Sequence, residues 1–118
     1  MLNIEERQNG QITILDLEGN VIMGGGSIKL REAIIQLVKE DKTDILLNFQ
    51  NVKYIDSSGT GEILSSVNLL NQNGGRLKLS NLPPKVEEVF TLSSLLPILE
   101  IYDKEENAIK ESANHSEK

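Results

Sequence analysis

The sequence predicts an α/β domain with a mixed, mostly parallel central sheet of about five strands, an N-terminal hairpin and about four helices. Three observations support this fold class. The length of 118 residues fits one compact domain. A two-residue turn signal near the start of the chain indicates an antiparallel hairpin. After it, short apolar runs alternate with segments of helical periodicity, which is typical of a parallel sheet covered by helices.

The hairpin is the first predicted element. Apolar and polar residues alternate from Leu2 onward, and Asn9-Gly10 is typical of a two-residue hairpin loop. The second strand covers residues 12–17 and ends near Gly19. This pair of strands gives the sheet its one antiparallel edge.

Helix one follows a glycine-rich loop. The loop consists of Met23, Gly24, Gly25, Gly26 and Ser27, and we expect Ser27 to be the N-cap of a helix over residues 27–40. Apolar residues then recur at helical spacing and predict one buried stripe: Leu30, Ala33, Ile34, Leu37 and Val38.

The middle of the chain predicts a buried strand over residues 45–49 and then helix two. The apolar stripe of helix two contains Ile63, Val67 and Leu70, and the segment 73–75 (Asn-Gly-Gly) is a natural C-terminal stop. Residues 76–80 alternate polar and apolar, which predicts a strand with one buried face.

The last part of the chain predicts a third helix opened by Pro83-Pro84, with Val86, Val89 and Phe90 facing inward. A last strand includes Ile98, Leu99 and Ile101, and a short helix over residues 103–112 closes the domain. We therefore expect one domain over residues 1–112. The polar residues 113–118 are predicted to form a disordered tail.

Composition excludes several functions. Twelve Lys and Arg stand against eighteen Asp and Glu, a net charge of −6, so nucleic acid is not an expected partner. No cysteine is present, and clustered histidines are lacking, so no metal site or cofactor is predicted. The N-terminus does not resemble a signal peptide, and no apolar run could cross a bilayer. We expect a soluble cytoplasmic protein without membrane partners.

Two kinds of enzyme or ligand site can be weighed against the sequence. A serine hydrolase is disfavoured because the only histidine, His115, lies in the predicted tail and no G-x-S-x-G motif is present. A nucleotide site at the glycine-rich loop is disfavoured because the loop lacks the Gly-Lys-Ser/Thr ending of a P-loop. We therefore expect a binding protein and not an enzyme.

The most informative segment lies between the predicted strand and helix two. Asp56, Ser57, Ser58 and Gly59 precede a helical pattern, so one of them can cap the helix and the glycine permits a tight turn. The same N-terminus can also stabilise an added phosphate. Both interpretations are compatible, and Ser57 is the predicted phosphorylation site, with Ser58 as the second choice.

These residues resemble a known family, the anti-sigma factor antagonists built on the STAS domain. The resemblance extends over about residues 2–110. Its most specific part is the run Ile55-Asp56-Ser57-Ser58-Gly59-Thr60-Gly61, and the later run Gly74-Gly75-Arg76-Leu77-Lys78-Leu79 supports it.

The resemblance implies a phosphorylation switch. The unmodified protein would bind an anti-sigma factor serine kinase with a GHKL-type ATP site and so free the sigma factor. The kinase would phosphorylate Ser57 and end the complex, and a PP2C-type phosphatase would reverse the reaction. We expect the partner to contact the segment 56–59 between strand and helix, called the junction below, and the glycine-rich loop. We also expect it to contact an exposed face of helix two near Thr60, Glu62 and Ser66.

Two departures and one alternative accompany the resemblance. Many members have an aspartate in the loop before helix one, where this chain has none, and another in the central strand at Asn48. Both changes would remove negative charge near the expected interface. The alternative is a STAS subunit of a transport system, or a stressosome scaffold, that binds constitutively without a serine phosphate.

Overall fold

A computed structural model describes the backbone of residues 1–116 and the side chains of residues 1–111. Its elements, in chain order, are β1 Leu2–Asn9, β2 Ile12–Val21, α1 Gly25–Lys39, β3 Asp44–Ile55, α2 Ser57–Gln72, β4 Arg76–Ser80, α3 Pro84–Leu92, a 3₁₀ turn at Leu96–Ile98, β5 Glu100–Tyr102 and α4 Glu105–Ser116.

The five strands form one sheet in the order β1-β2-β3-β4-β5. β1 and β2 are antiparallel, and the other three pairs are parallel. The predicted fold class is therefore confirmed. Because β3 is the central strand, the helix that follows it begins at the carboxyl edge of the parallel strands.

The hairpin loop lies one residue later than the sequence predicts. Asn9 pairs with Ile12, so the two loop residues are Gly10 and Gln11. Gly10 has a φ of 60°, as the first central residue of a type II′ turn requires. The glycine, rather than the Asn-Gly pair, sets the register.

One face of the sheet packs on α1, α2 and α3 to form the main apolar core. The predicted stripes of all three helices face it, including Leu30 and Ile34 of α1 and Phe90 of α3. Phe90 meets Phe49 of β3 edge to face, with ring centroids 6.2 Å apart. These stripes are confirmed.

The other face of the sheet is covered by α4. Ile14, Leu46 and Ala108 form a smaller apolar cluster there. Lys78 and Ser80 of β4 point to this face and have 0% exposure, so the prediction of a single buried face for β4 is wrong. The alternating pattern shows which residues of β4 share a face. It cannot show that α4, at the end of the chain, covers the polar face.

Three predicted boundaries also differ from the structure. β3 continues beyond residue 49 to Ile55 because it pairs with β2 along that length, with two register shifts. Ile98 belongs to the 3₁₀ turn and is 56% exposed, and β5 begins at Glu100. α4 runs to Ser116 and includes part of the predicted tail. Residues 117 and 118 lie outside the described residues, and disorder of the tail stays a prediction.

Candidate functional site

The start of α2 is organised by the carboxylate of Asp56. Asp56 is the N-cap residue, and its Oδ1 accepts a hydrogen bond from the Gly59 N–H at 2.9 Å. Its Oδ2 accepts a second one from the Met23 N–H, also at 2.9 Å. One side chain therefore caps α2 and joins it to the loop before α1.

These contacts keep Asp56 ionised. The hydrogen bonds from the Met23 and Gly59 N–H groups favour the carboxylate and lower the pKa of Asp56 below its ordinary value. A negative charge at this position also suits the positive end of the α2 dipole. The predicted Asp-Ser-Ser-Gly cap is thus present, with the aspartate as the capping residue.

The start of α1 differs from the prediction. Gly25 and Gly26 belong to the helix, Gly24 is the N-cap, and Ser27 lies buried in the first turn, so Ser27 is not the cap. A Cβ on Gly26 would lie 2.4 Å from the Asn20 carbonyl oxygen. The glycines therefore permit α1 to begin against the end of β2, and most of the predicted flexible loop is helical.

Gly59 has the corresponding role in α2. A Cβ at Gly59 would lie 2.0 Å from the Val21 carbonyl oxygen and 2.8 Å from Cγ1 of Ile55. No side chain can be placed there without moving the helix. Both helices therefore begin in close contact with the last residues of β2, which brings the two predicted segments into one site.

The hydroxyl groups of the junction differ in access. Ser57 is the first residue of α2 and is exposed. Ser58 is half-buried, and its Oγ lies 3.4 Å from the Oγ of Ser27. Thr60 is buried, and its Oγ1 donates to the Asp56 carbonyl oxygen at 2.9 Å. Ser57 is therefore the hydroxyl most open to another protein.

Some predicted contact residues are exposed and others are not. Met23, Gly24, Gly25 and Ser57 are exposed beside one another, whereas other predicted residues are buried: Gly26, Gly59, Thr60, Glu62 and Ser66. The predicted exposed face near Thr60, Glu62 and Ser66 is therefore wrong. The reason is that this side of α2 packs against α1.

Arg31 is a residue that sequence reasoning missed. Its Nε donates to Oε1 of Glu62 at 2.9 Å, across the contact between α1 and α2. Glu62 is buried, while the Arg31 side chain is 58% exposed. Helical spacing could have placed Arg31 beside the apolar stripe of α1, but it gives no information on the partner across the interface.

Asn48 does not lie at the junction. Its Nδ2 donates to Oε1 of Glu105 in α4 at 2.9 Å, and its Oδ1 accepts from the Gln50 N–H. Seven residues of extended strand, roughly 20 Å, separate it from Ile55. The expectation that Asn48 lowers the charge near the interface is therefore wrong, because the residue belongs to the α4 side of the sheet.

Comparison with known proteins decides the family. The STAS domain model matches residues 3–108. The chain belongs to the STAS domain family. An anti-sigma F factor antagonist of Paenibacillus polymyxa is 30% identical to this chain over 110 residues, with 93% of this chain and 94% of the relative covered.

Two solved structures have the same fold. The Bacillus cell fate determinant SpoIIAA in its phosphorylated form superposes with a TM-score of 0.71 at 26% identity, covering 93% of this chain and 99% of SpoIIAA. A crystal structure from Thermotoga maritima gives a TM-score of 0.85 at 23% identity, with 92% of each chain covered.

The described residues contain neither a candidate membrane span nor a candidate metal site. No helix in the described part of the chain combines the length and apolar character needed to span a membrane. Across the same residues, no group of three or more His, Cys, Asp or Glu could hold a metal ion. The side chain of His115 lies outside the described side chains, so the structure gives no geometry for a serine–histidine pair.

Proposed function

We propose that this protein is an anti-sigma factor antagonist whose binding is switched off by phosphorylation of Ser57. The unphosphorylated form binds an anti-sigma factor that is also a GHKL-type serine kinase, and the sigma factor is released. The kinase phosphorylates Ser57, and a PP2C-type phosphatase removes the phosphate. The protein acts by binding the anti-sigma factor and is not itself an enzyme. It acts in the cytoplasm, where the kinase has access to ATP.

The main support is the position of Ser57. It is the exposed first residue of α2, next to the exposed Met23 and Gly24, and the neighbouring Asp56 fixes the helix start. A kinase can reach its hydroxyl without unfolding the domain. The names of the relatives agree with this proposal, since one is an anti-sigma F factor antagonist and another has been solved in a phosphorylated form.

Electrostatics explain why a phosphate would end binding without unfolding the protein. The phosphate adds about −1.5 to −2 charges at neutral pH. The N-terminus of α2 would stabilise it by about 0.3–1 kcal/mol, partly offset by the Asp56 carboxylate beside it. Burial of the same ion at an interface without a matching charge costs several kcal/mol. A loss of even ~3 kcal/mol weakens association by roughly a hundredfold.

Affinity capture with two variants tests this function. Ser57→Ala should retain an anti-sigma factor from an extract of the source cells, and mass spectrometry should identify it. Ser57→Asp should retain little or none of it. If both variants retain the same set of proteins, or if neither retains an anti-sigma factor, the proposal is wrong.

The phosphorylation step is tested separately with the captured kinase and ATP. The wild-type protein should gain one phosphate on the peptide that contains residues 56–61, and Ser57→Ala should gain none. A phosphate on Ser58 or Thr60 in the wild-type protein would assign the acceptor to another hydroxyl.

A further inference from the structure

The Arg31–Glu62 pair is asymmetric. Glu62 is 5% exposed and Arg31 is 58% exposed, so the carboxylate lies inside the α1–α2 contact while the guanidinium reaches the surface. The contact between them uses Nε of Arg31. Within residues 1–111, the two terminal nitrogens of Arg31 make no hydrogen bond, so the outer end of the guanidinium faces solvent.

Two exposed isoleucines flank Arg31 on the same side of α1. Ile28 and Ile35 are 47% and 39% exposed. The spacing 28, 31, 35 places all three residues on one helical face, separate from the core-facing stripe of Leu30 and Ile34. Met23, which is 75% exposed, lies just before this helix.

A groove between α1 and α2 borders the same face. It has a volume of about 210 Å³ and is lined by Arg31 and Ile35 from α1 and by Ser65 and Leu69 from α2, among others. The face therefore combines apolar surface with one oriented arginine. Arginine is one of the residue types enriched among those that dominate binding energy at protein interfaces.

We propose that Ile28, Arg31 and Ile35 form a docking face for the anti-sigma factor, which presents a carboxylate to Arg31 between apolar side chains. This inference rests on the proposed function and adds a determinant of partner choice to it. Arginine binds a carboxylate through paired N–H groups in a fixed plane. Here Glu62 binds the Nε side of the guanidinium, and the two terminal nitrogens of Arg31 stay available for a carboxylate of the partner.

Glu62 would act as a positioning residue. An exposed arginine normally loses rotamer freedom when it binds, which reduces affinity. The buried carboxylate of Glu62 restricts Arg31 before the partner arrives. The face thus offers a positive group on a chain whose net charge is −6, so a partner carboxylate has an attractive site on an otherwise repulsive surface.

Three variants test the role of Arg31 with the anti-sigma factor that Ser57→Ala retains, prepared as a recombinant protein. Arg31→Gln alone would leave Glu62 buried without its cation, so the double variant Arg31→Gln/Glu62→Gln replaces the ion pair by two amides. Glu62→Gln alone keeps the arginine. We expect the double variant to bind at least about tenfold more weakly than wild type. Glu62→Gln should bind only about a few-fold more weakly, because it keeps the arginine but restricts it less.

The matched control is Lys29→Gln, which removes one positive charge from the opposite flank of α1, beside Ala33 and Gln36. It should leave the affinity unchanged, as should Leu92→Ala, which removes a distant exposed apolar side chain. Ile35→Ala should weaken binding. Thermal melts of all variants show whether each one is folded.

The outcomes separate the two proposals. If wild-type protein binds the anti-sigma factor and the folded double variant binds equally well, the docking face is wrong while the proposed function stands. If Lys29→Gln weakens binding as much as the double variant, the loss is not specific to Arg31 and the docking face is wrong. If Ser57→Ala retains no anti-sigma factor, the proposed function falls and this inference falls with it.

Discussion

The Met23 N–H donates a hydrogen bond to Oδ2 of Asp56 at 2.9 Å, and this contact joins the loop before α1 to the start of α2. The two residues are 33 positions apart in the chain. Because Ser57 follows Asp56 directly, the contact fixes the surface around the proposed phosphorylation site. Asp56 is thus both a helix cap and a bridge between two segments.

The first prediction concerns Asp56→Asn. Asparagine can still cap α2 through its Oδ1, but it has no second oxygen for the Met23 N–H. We expect a loss of about 1–2 kcal/mol in the free energy of unfolding at pH 7. Denaturant titration measures it. Ser57→Ala is the control and should change stability by less than about 0.5 kcal/mol. An equal loss in both variants would contradict the role of Asp56.

The second prediction concerns how the difference in stability between wild type and Asp56→Asn depends on pH. The pKa of Asp56 is lowered in the folded protein, so its stabilisation is complete above the unfolded value of about 3.9 and is lost as the pH falls through the lower folded value. The difference between wild type and Asp56→Asn should therefore be constant from pH 7 to about 5 and shrink below about pH 4. A difference that grows on acidification would show that the sign is wrong.

The third prediction compares two glycines of α2. Gly59→Ala would place a Cβ 2.0 Å from the Val21 carbonyl oxygen, so we expect a loss of about 3 kcal/mol or more in stability. Gly61→Ala meets no atom within 4 Å and should stabilise the protein by about 0.5–1 kcal/mol through helix propensity. Thermal or denaturant unfolding distinguishes them. Similar effects in both variants would contradict the close approach of α2 to β2.

The fourth prediction concerns the buried Lys78. Its Nζ lies 3.4 Å from the Ala108 carbonyl oxygen and 5.9 Å from the centre of the Tyr102 ring. Burial is the largest cause that lowers its pKa, and Arg76 adds to it. Three nearby carboxylates act in the opposite direction: Asp44, Glu100 and Glu111.

At pH 7 we therefore expect the free energy of unfolding of Lys78→Met to equal that of wild type or to exceed it by up to about 2 kcal/mol. Since the folded pKa of Lys78 lies below the unfolded value of about 10.4, wild-type stability rises with pH through this interval and the advantage of methionine shrinks. Unfolding curves at pH 7 and pH 10 provide the measurement. Lys110→Met, at an exposed position of α4, should show no such change with pH. If the stability of Lys78→Met relative to wild type instead increased with pH, the explanation by a buried charge on Lys78 would be contradicted.

The sequence predicts the fold because local patterns and topology agree. The helical stripes, the hairpin and the strand that precedes α2 follow from periodicity and turn chemistry, and the structure confirms that each exists. Their boundaries are less accurate, since the hairpin loop lies one residue later and β3 runs to Ile55 instead of ending at residue 49. The position of Ser57 at the start of α2 also follows from local signals. Local rules therefore suffice for the element that bears the proposed phosphorylation site.

What the sequence did not predict depends on contacts between distant segments. Glu62 and Lys78 are charged and would ordinarily be exposed, yet α1 covers the first and α4 covers the second. Serine is a common N-cap residue, so the sequence predicts that the helix begins at Ser27. In the structure α1 begins two residues earlier, at Gly25, where Gly26 lies close to Asn20. Periodicity shows which residues share a face, and it cannot show which element packs against that face.

The most direct test of the account is the affinity of one anti-sigma factor for two forms of this protein, unmodified and phosphorylated on Ser57, measured by calorimetry at equal salt concentration. We expect the phosphorylated form to bind at least about a hundredfold more weakly, with both forms melting within a few degrees of each other. Equal affinity of the two forms would contradict the central claim that a charge on Ser57 closes the binding surface.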